Sequence, residues 1–272
     1  MRGRRMRKLL LVSVAWAAVV GEAATAADLA PVPVVVEPVF TWSGFYAGLS
    51  AGGRRSNVNW ETLAVGPAPG TSPDPTTTPL IFKNSTARLG GYLGYDWQFA
   101  PQWVFGLEAD FAWASTSRVN GGIPGTFGAT LQYAPPSATS VDSAWVRQRW
   151  DASVRARAGF LLTPVWLVYV TAGIAMQSVE VGASCSGNGP SWCLDGFPRY
   201  EPVTYVRTGG TVGAGTEAAL SRNWFVRVEY RYTDYGAIDY TFFTSPQTVD
   251  NVTTSVRVRT QTALGGIAFK FN

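Results

Sequence analysis

Between Trp145 and Leu162 the chain reads WVRQRWDASVRARAGFLL, and its alternate residues fall into two chemistries. One set is Val146, Gln148, Trp150, Ala152, Val154, Ala156, Ala158, Phe160 and Leu162; the other includes Arg147, Arg149, Asp151, Ser153, Arg155 and Arg157. A period of two is that of a β-strand, whose successive side chains point to opposite faces. A soluble strand turns its charges to water and buries its apolar face. Four arginines and an aspartate along one strand are too many for an ordinary sandwich. Both faces are satisfied if the apolar side chains touch lipid and the arginines line a closed barrel, which also leaves no backbone group unpaired in hydrocarbon.

The amino terminus places the chain in an export route. Arg2, Arg4, Arg5, Arg7 and Lys8 precede an apolar run from Leu9 to Val20, and Ala24-Thr25-Ala26 supplies small residues for cleavage. This is the plan of a signal peptide over residues 1–26, and the run is too short for a helix that needs about 20 residues to span a bilayer. The five basic groups and Glu22 of this segment account for the whole formal charge of +4, so the mature chain is neutral. The basic balance is therefore no sign of nucleic-acid binding. Residues 27–43 form a leader containing Pro31, Pro33 and Pro38, which favour extended, unladdered chain. Cys185 and Cys193 are the two cysteines. In an oxidising compartment they are expected to close a local disulfide; their spacing is not that of a CxxC redox pair.

The strand pattern recurs from Gly44 to the end of the chain. Strands are expected over 44–53, 87–99, 103–115, 145–162, 166–178, 205–220, 224–232 and 256–271. In the third, Trp103, Phe105, Leu107, Phe111 and Trp113 alternate with Glu108 and Asp110. Tight turns at 100–102, 163–165 and 221–223 alternate with long polar segments near 54–86, 116–143, 179–204 and 233–255. Short turns on one side and long loops on the other are the pattern of an all-β, eight-stranded antiparallel transmembrane barrel, with both ends on the periplasmic side. Aromatic rings gather where a lower girdle belongs, among them Trp97, Phe99, Trp103, Trp166, Trp224 and Phe271. Arg257 and Arg259 share the phase of the lipid-facing set, which places them above the membrane or calls for a bulge. Thr126–Tyr133 alternates weakly and leaves a ten-stranded barrel open. A soluble lipocalin-like barrel would have to put the arginines beside an apolar ligand or the aromatic rows in water.

The inward set expected from this phase is Arg88, Asp96, Glu108, Asp110, Arg147, Arg149, Asp151, Arg155, Arg157, Arg207, Glu217, Arg227, Glu229 and Arg231. Eight strands enclose a space that side chains fill. The first expectation is a lumen plugged by forked guanidinium–carboxylate bonds; the second is a narrow path with a weak preference for anions, from eight positive against six negative groups. Catalysis is not expected. The chain has no histidine to activate a serine or bind a metal, and its inward carboxylates face arginines that hold them ionised. Gly90-Gly91 and Gly209-Gly210 lack a phosphate-loop lysine and read as close strand packing. No catalytic, metal or cofactor site is assigned.

The segment Ala26-Ala27-Asp28-Leu29, the proline-rich leader, Trp42-Ser43-Gly44-Phe45-Tyr46-Ala47-Gly48 and the aromatic carboxyl end together resemble the small alphaproteobacterial outer-membrane β-barrel proteins, a porin-family and surface-antigen group with OmpA-like barrels. The resemblance spans the mature chain and implies an outer-membrane location, surface exposure, and roles from envelope integrity to surface interaction. The partners it implies are outer-membrane lipid and lipopolysaccharide, the barrel assembly machinery, and surface or cell-wall contacts. The chain departs from the usual terminal aromatic in ending Phe271-Asn272. A loop-borne adhesin is a third reading, prompted by the proline-rich stretch from Val65 to Pro79.

Overall fold

The computed structural model describes residues 40–66, 72–126, 141–188, 191–193, 196–244 and 251–271. The expected signal peptide, most of the leader, and nearly all of Thr126–Tyr133 lie outside the described residues. Eight strands run in chain order: β1 (Gly44–Val65), β2 (Leu80–Ala100), β3 (Trp103–Gly121), β4 (Ser143–Thr163), β5 (Trp166–Cys185), β6 (Arg199–Ala219), β7 (Trp224–Phe242) and β8 (Val252–Lys270). Each pairs antiparallel with the next, and β8 pairs with β1 to close the ring.

Each strand has 19 to 22 residues, about twice the 9–11 that a tilted strand needs to cross a bilayer. The segments read from sequence as long loops therefore begin and end in strand, since β1 runs on to Val65, β5 to Cys185 and β7 to Phe242. In the lower half the outward residues are apolar, as with Leu49, Leu89 and Trp113, each about two-thirds exposed at 70%, 66% and 65%. In the upper half the pattern inverts. On β1, Arg55 and Glu61 face outward while Val58 and Trp60 are completely buried inside. That is the arrangement of a strand standing in water, so the barrel continues beyond the membrane as a tower with its own apolar core.

The lumen is filled in three layers. At the short-turn end, Phe40, Trp42, Tyr46, Leu161, Leu167 and Phe225 form an apolar lid. Trp42 belongs to the segment just before β1; its indole N–H donates to the Pro164 carbonyl at 3.1 Å, which ties that segment across the mouth. At the far end Trp60, Phe82, Val146, Val181, Phe242 and Val256 form a second apolar layer, with Trp60 stacked on Phe242 at 5.7 Å. Charged groups occupy the space between. Glycines make room for tyrosines there: a Cβ on Gly48 would lie 2.5 Å from the Tyr92 ring, and one on Gly215 2.6 Å from the Tyr169 hydroxyl.

Two irregularities matter for the lumen. In β4 the register against β5 shifts between Gln148 and Asp151. Such a bulge swaps the faces of the strand beyond it. The β6–β7 ladder, in contrast, stops early: its pairs run only from Ala219↔Phe225 to Gly210↔Asp234, although both strands continue upward. Above that point side chains bridge the seam. The Glu201 carboxylate accepts from the Tyr240 hydroxyl and from the Phe243 N–H (2.7 Å), and the Arg207 guanidinium donates to the Ala237 carbonyl at 2.7 Å. At the rim above β5, the Cys185–Cys193 disulfide joins residues whose Cα atoms are 5.8 Å apart.

Candidate functional site in the barrel lumen

The central layer is built from the inward positions of β1 to β4, β6 and β7. On β3, Glu108 and Asp110 are two residues apart and both point inward. On β4, Asp151, Arg155 and Arg157 do the same, and on β7 Arg227, Glu229 and Arg231 form a ladder of alternating sign. Closure of the sheet brings β7 across from β3 and β4, so these ladders interlock.

The lower tier centres on Glu108. Arg227 approaches it at 2.5 Å, Arg155 at 2.5 Å and Arg157 at 3.6 Å. Arg157 also holds Glu217 at 2.7 Å and Asp96 at 3.6 Å. Tyr46 completes the tier, accepting from Arg157 at 2.8 Å and donating to Glu108 at 2.9 Å. The guanidinium carbon of Arg157 sits 4.3 Å from the centroid of the Tyr169 ring, and the Tyr169 hydroxyl donates to Glu229 at 2.9 Å.

The upper tier is a chain. Arg155 reaches Glu229 at 2.6 Å, Arg231 bridges Glu229 (2.9 Å) and Asp110 (3.1 Å), and Arg88 joins Asp110 to Asp151. Arg54 ends it on Asp151 at 2.9 Å. Nearly every member of both tiers is fully buried. Guanidinium groups suit this setting because each presents several donors in a rigid plane and remains charged.

Of the fourteen residues expected inward, eleven are in these tiers. Arg147, Arg149 and Arg207 are not. The β4 bulge turns Arg147 and Arg149 to the outer wall, where both pair with Glu180 at 2.7 and 3.1 Å and remain well exposed. The same swap sends Val146 and Gln148, expected to face lipid, into the core. Arg207 keeps the inward parity of β6 but lies above Gly210, at the seam, where backbone carbonyls take its hydrogen bonds. One member was missed. Arg54 follows Tyr46, Gly48, Ser50 and Gly52 in phase, and a strand drawn to end at Gly53 leaves it out by one residue. With these changes the network among the described residues has six arginines and six carboxylates, so the positive excess expected from the sequence disappears.

Arg257 and Arg259 do face outward on β8, in the phase of Ile267, and no bulge intervenes on that strand; both pair with Asp234 of β7, at 2.7 and 3.1 Å.

The comparisons with known proteins agree with this architecture. The model of the outer membrane protein beta-barrel domain matches residues 14–270. The chain belongs to the outer-membrane β-barrel protein family. Its relatives include the 25 kDa outer-membrane immunogenic protein of Brucella canis, 30% identical over 98% of this chain and all of the relative. The 22 kDa outer membrane protein of Rhizobium leguminosarum bv. viciae is 28% identical over 75% of this chain and 70% of its own. Among solved structures, the outer membrane protein OprG of Pseudomonas aeruginosa shares the fold, with a TM-score of 0.52 at 12% identity over 87% of this chain and all of that one. Membership places the protein in the outer membrane.

Proposed function

We propose that this protein is a non-conducting barrel that contributes to the integrity of the outer membrane and carries a protein surface well clear of it. The observation that carries the reading is the filling of the lumen: a charge-balanced arginine–carboxylate layer between two apolar lids. An ion entering from either side would meet side chains packed as in a soluble core, and then a layer in which each charge is already neutralised. The weak anion preference of the alternative pore needs a surplus of arginine in the lumen, and the network has none. Catalysis is disfavoured on related grounds, because the inward carboxylates are engaged by guanidinium groups and the chain contains no histidine.

Surface display rests on the length of the strands. On β1 the eleven residues from Arg55 to Val65 lie above the apolar belt, ten steps of 3.4 Å that cover about 34 Å along the strand. The Brucella relatives are named as immunogenic outer-membrane proteins, a property that suits a raised, accessible rim.

The test is single-channel recording of the refolded protein in a planar bilayer. No discrete openings are expected between pH 5 and 8. Steady unitary conductance would overturn the sealed reading in favour of a small pore.

A further inference from the structure

Two of the depressions among the described residues lie on the outer wall, apart from the lumen. The larger, about 680 Å³, lies in the apolar belt over β1 to β3, with Ala47, Gly91 and Ala109 as its floor and Leu49, Leu89 and Trp113 among its walls. The register accounts for it: Gly91 stands between Leu49 and Phe111, so a row of large side chains is interrupted by none at all. The smaller, about 240 Å³, opens higher on the same wall beside Arg55, Ser85, Tyr230 and Gln261.

Their separation matches one leaflet. The six steps from Leu49 to Arg55 cover about 20 Å along the strand, and about 15 Å along the membrane normal at the 35–45° tilt of such barrels, half of a ~30 Å hydrocarbon core. From Phe45 in the lower girdle to Arg55 the same arithmetic gives about 26 Å, the height of an apolar band. Arg55 therefore stands at the level of the outer headgroups.

That level is basic. Arg55, Lys83, Arg257 and Arg259 are exposed on the outer face of β1, β2 and β8, and Asn57 lies between Arg259 and Lys83 in the register. Asp234 answers Arg257 and Arg259. Among the described residues Arg55 and Lys83 have no carboxylate within ion-pair distance. Glu61 and Asp239, the other outward carboxylates of this wall, sit higher on the tower. Four cations against one anion leave a surplus of three positive charges directly above a greasy groove.

We propose that this wall is a binding site for a phosphorylated, acylated lipid of the outer leaflet, with an acyl chain in the groove over Gly91 and the phosphate among Arg55, Lys83 and Arg259. The two halves of the site require both parts of such a ligand. Free phosphate would meet only solvated surface cations, and a twofold contact with a second copy would set this basic row against itself.

The protein in nanodiscs of phosphatidylcholine doped with bisphosphorylated lipid A gives the test, with lipid retention read by native mass spectrometry and folding checked by heat-modifiable migration. Arg55→Gln with Lys83→Gln is expected to weaken lipid A binding by about thirtyfold, since each basic residue near a membrane surface gives about fivefold. Gly91→Leu is expected to weaken it with no change of charge; a Cβ there meets nothing closer than 3.6 Å, so the strand accepts the residue. Arg149→Gln, on the outer face of another strand and paired with Glu180, leaves binding unchanged. Dephosphorylated lipid A is expected to lose the selectivity, and inorganic phosphate not to compete. Unchanged binding by the double variant or by Gly91→Leu, equal retention of dephosphorylated lipid A, or displacement by inorganic phosphate would each overturn the proposal.

Discussion

Arg227 lies flat over Tyr92, its guanidinium carbon 3.4 Å from the ring centroid, while its Nη1 holds Glu108 at 2.5 Å. The ring covers the face of the cation and the carboxylate takes its edge, so one arginine is served by two kinds of partner without water. Arg227→Met leaves Glu108 to Arg155 and Arg157 and removes the cation from the ring. Breaking a buried pair on one side costs about 3–5 kcal/mol. Urea unfolding in lipid vesicles, followed by the gel shift of the folded form, is expected to show a loss of that size. Arg227→Lys is expected to recover only part of it, because an ammonium cannot lie flat on a ring and keep the same edge-on pair.

Arg54 and Arg149 should behave oppositely. Arg54→Ala leaves Asp151 with Arg88 alone in a buried layer, and a destabilisation of about 3 kcal/mol is expected by the same unfolding assay. Arg149 is an exposed partner of Glu180, and Arg149→Ala is expected to cost about 0.5 kcal/mol or less. Equal effects would mean that the β4 bulge does not turn the strand as described.

The upper lid can be probed apart from the ionic layer. Trp60 is wholly buried and stacked on Phe242, so Trp60→Ala is expected to lower stability by about 3–5 kcal/mol. No conductance should appear, because the charged layer and the lower lid remain. Openings in this variant alone would show that the upper lid is the seal and the arginines are not.

Asp234 sets a pH dependence above the apolar belt. Hydrogen bonds from Arg257, then from the Gly236 N–H and Arg259, hold its carboxyl at about 2 rather than in the usual range near 4. A carboxyl whose folded pKa is depressed stabilises the fold above its unfolded value and loses that contribution as pH falls through the folded one. Asp234→Asn is therefore expected to be less stable than the parent at pH 5 to 8 and to converge with it as pH approaches 2. Thermal unfolding monitored by circular dichroism across that range checks the sign.

The disulfide lies in the tower, away from the belt. Cys185→Ser with Cys193→Ser is expected to leave a heat-modifiable barrel and the sealed lumen intact. The loss, about 2–3 kcal/mol for a short ring, should appear as faster tryptic cleavage at Arg199 on whole cells.

The lower half of the barrel was legible because lipid makes a demand at nearly every outward position, and Leu89, Leu93, Tyr95 and Trp97 meet it, with Gly91 the one gap on that strand. The upper half was hidden by the same criterion. Once the strand leaves the bilayer the outward residues become Arg55, Asn57, Asn59 and Glu61, and a search for apolar-outward alternation stops. The evidence for continuing strand was nonetheless present, since Val58 and Trp60 alternate with those polar residues in the manner of a soluble sheet. The phase error on Arg147 and Arg149 has another origin: a bulge has no mark in an arginine-rich run with tryptophans at both ends. Arg207 kept its parity, but parity cannot report that its neighbour's ladder has already ended.

That early end of the β6–β7 ladder has a mechanical consequence. A closed ring has no free edge, and so no natural place to begin coming apart; here, two strands stand side by side above Gly210 and Asp234 without main-chain bonds between them. Pulled, heated or stretched by its surroundings, the cylinder will split there first, from the rim downward, and the tear will stop where the ladder resumes, a short distance above the interlocked Arg231 and Glu229.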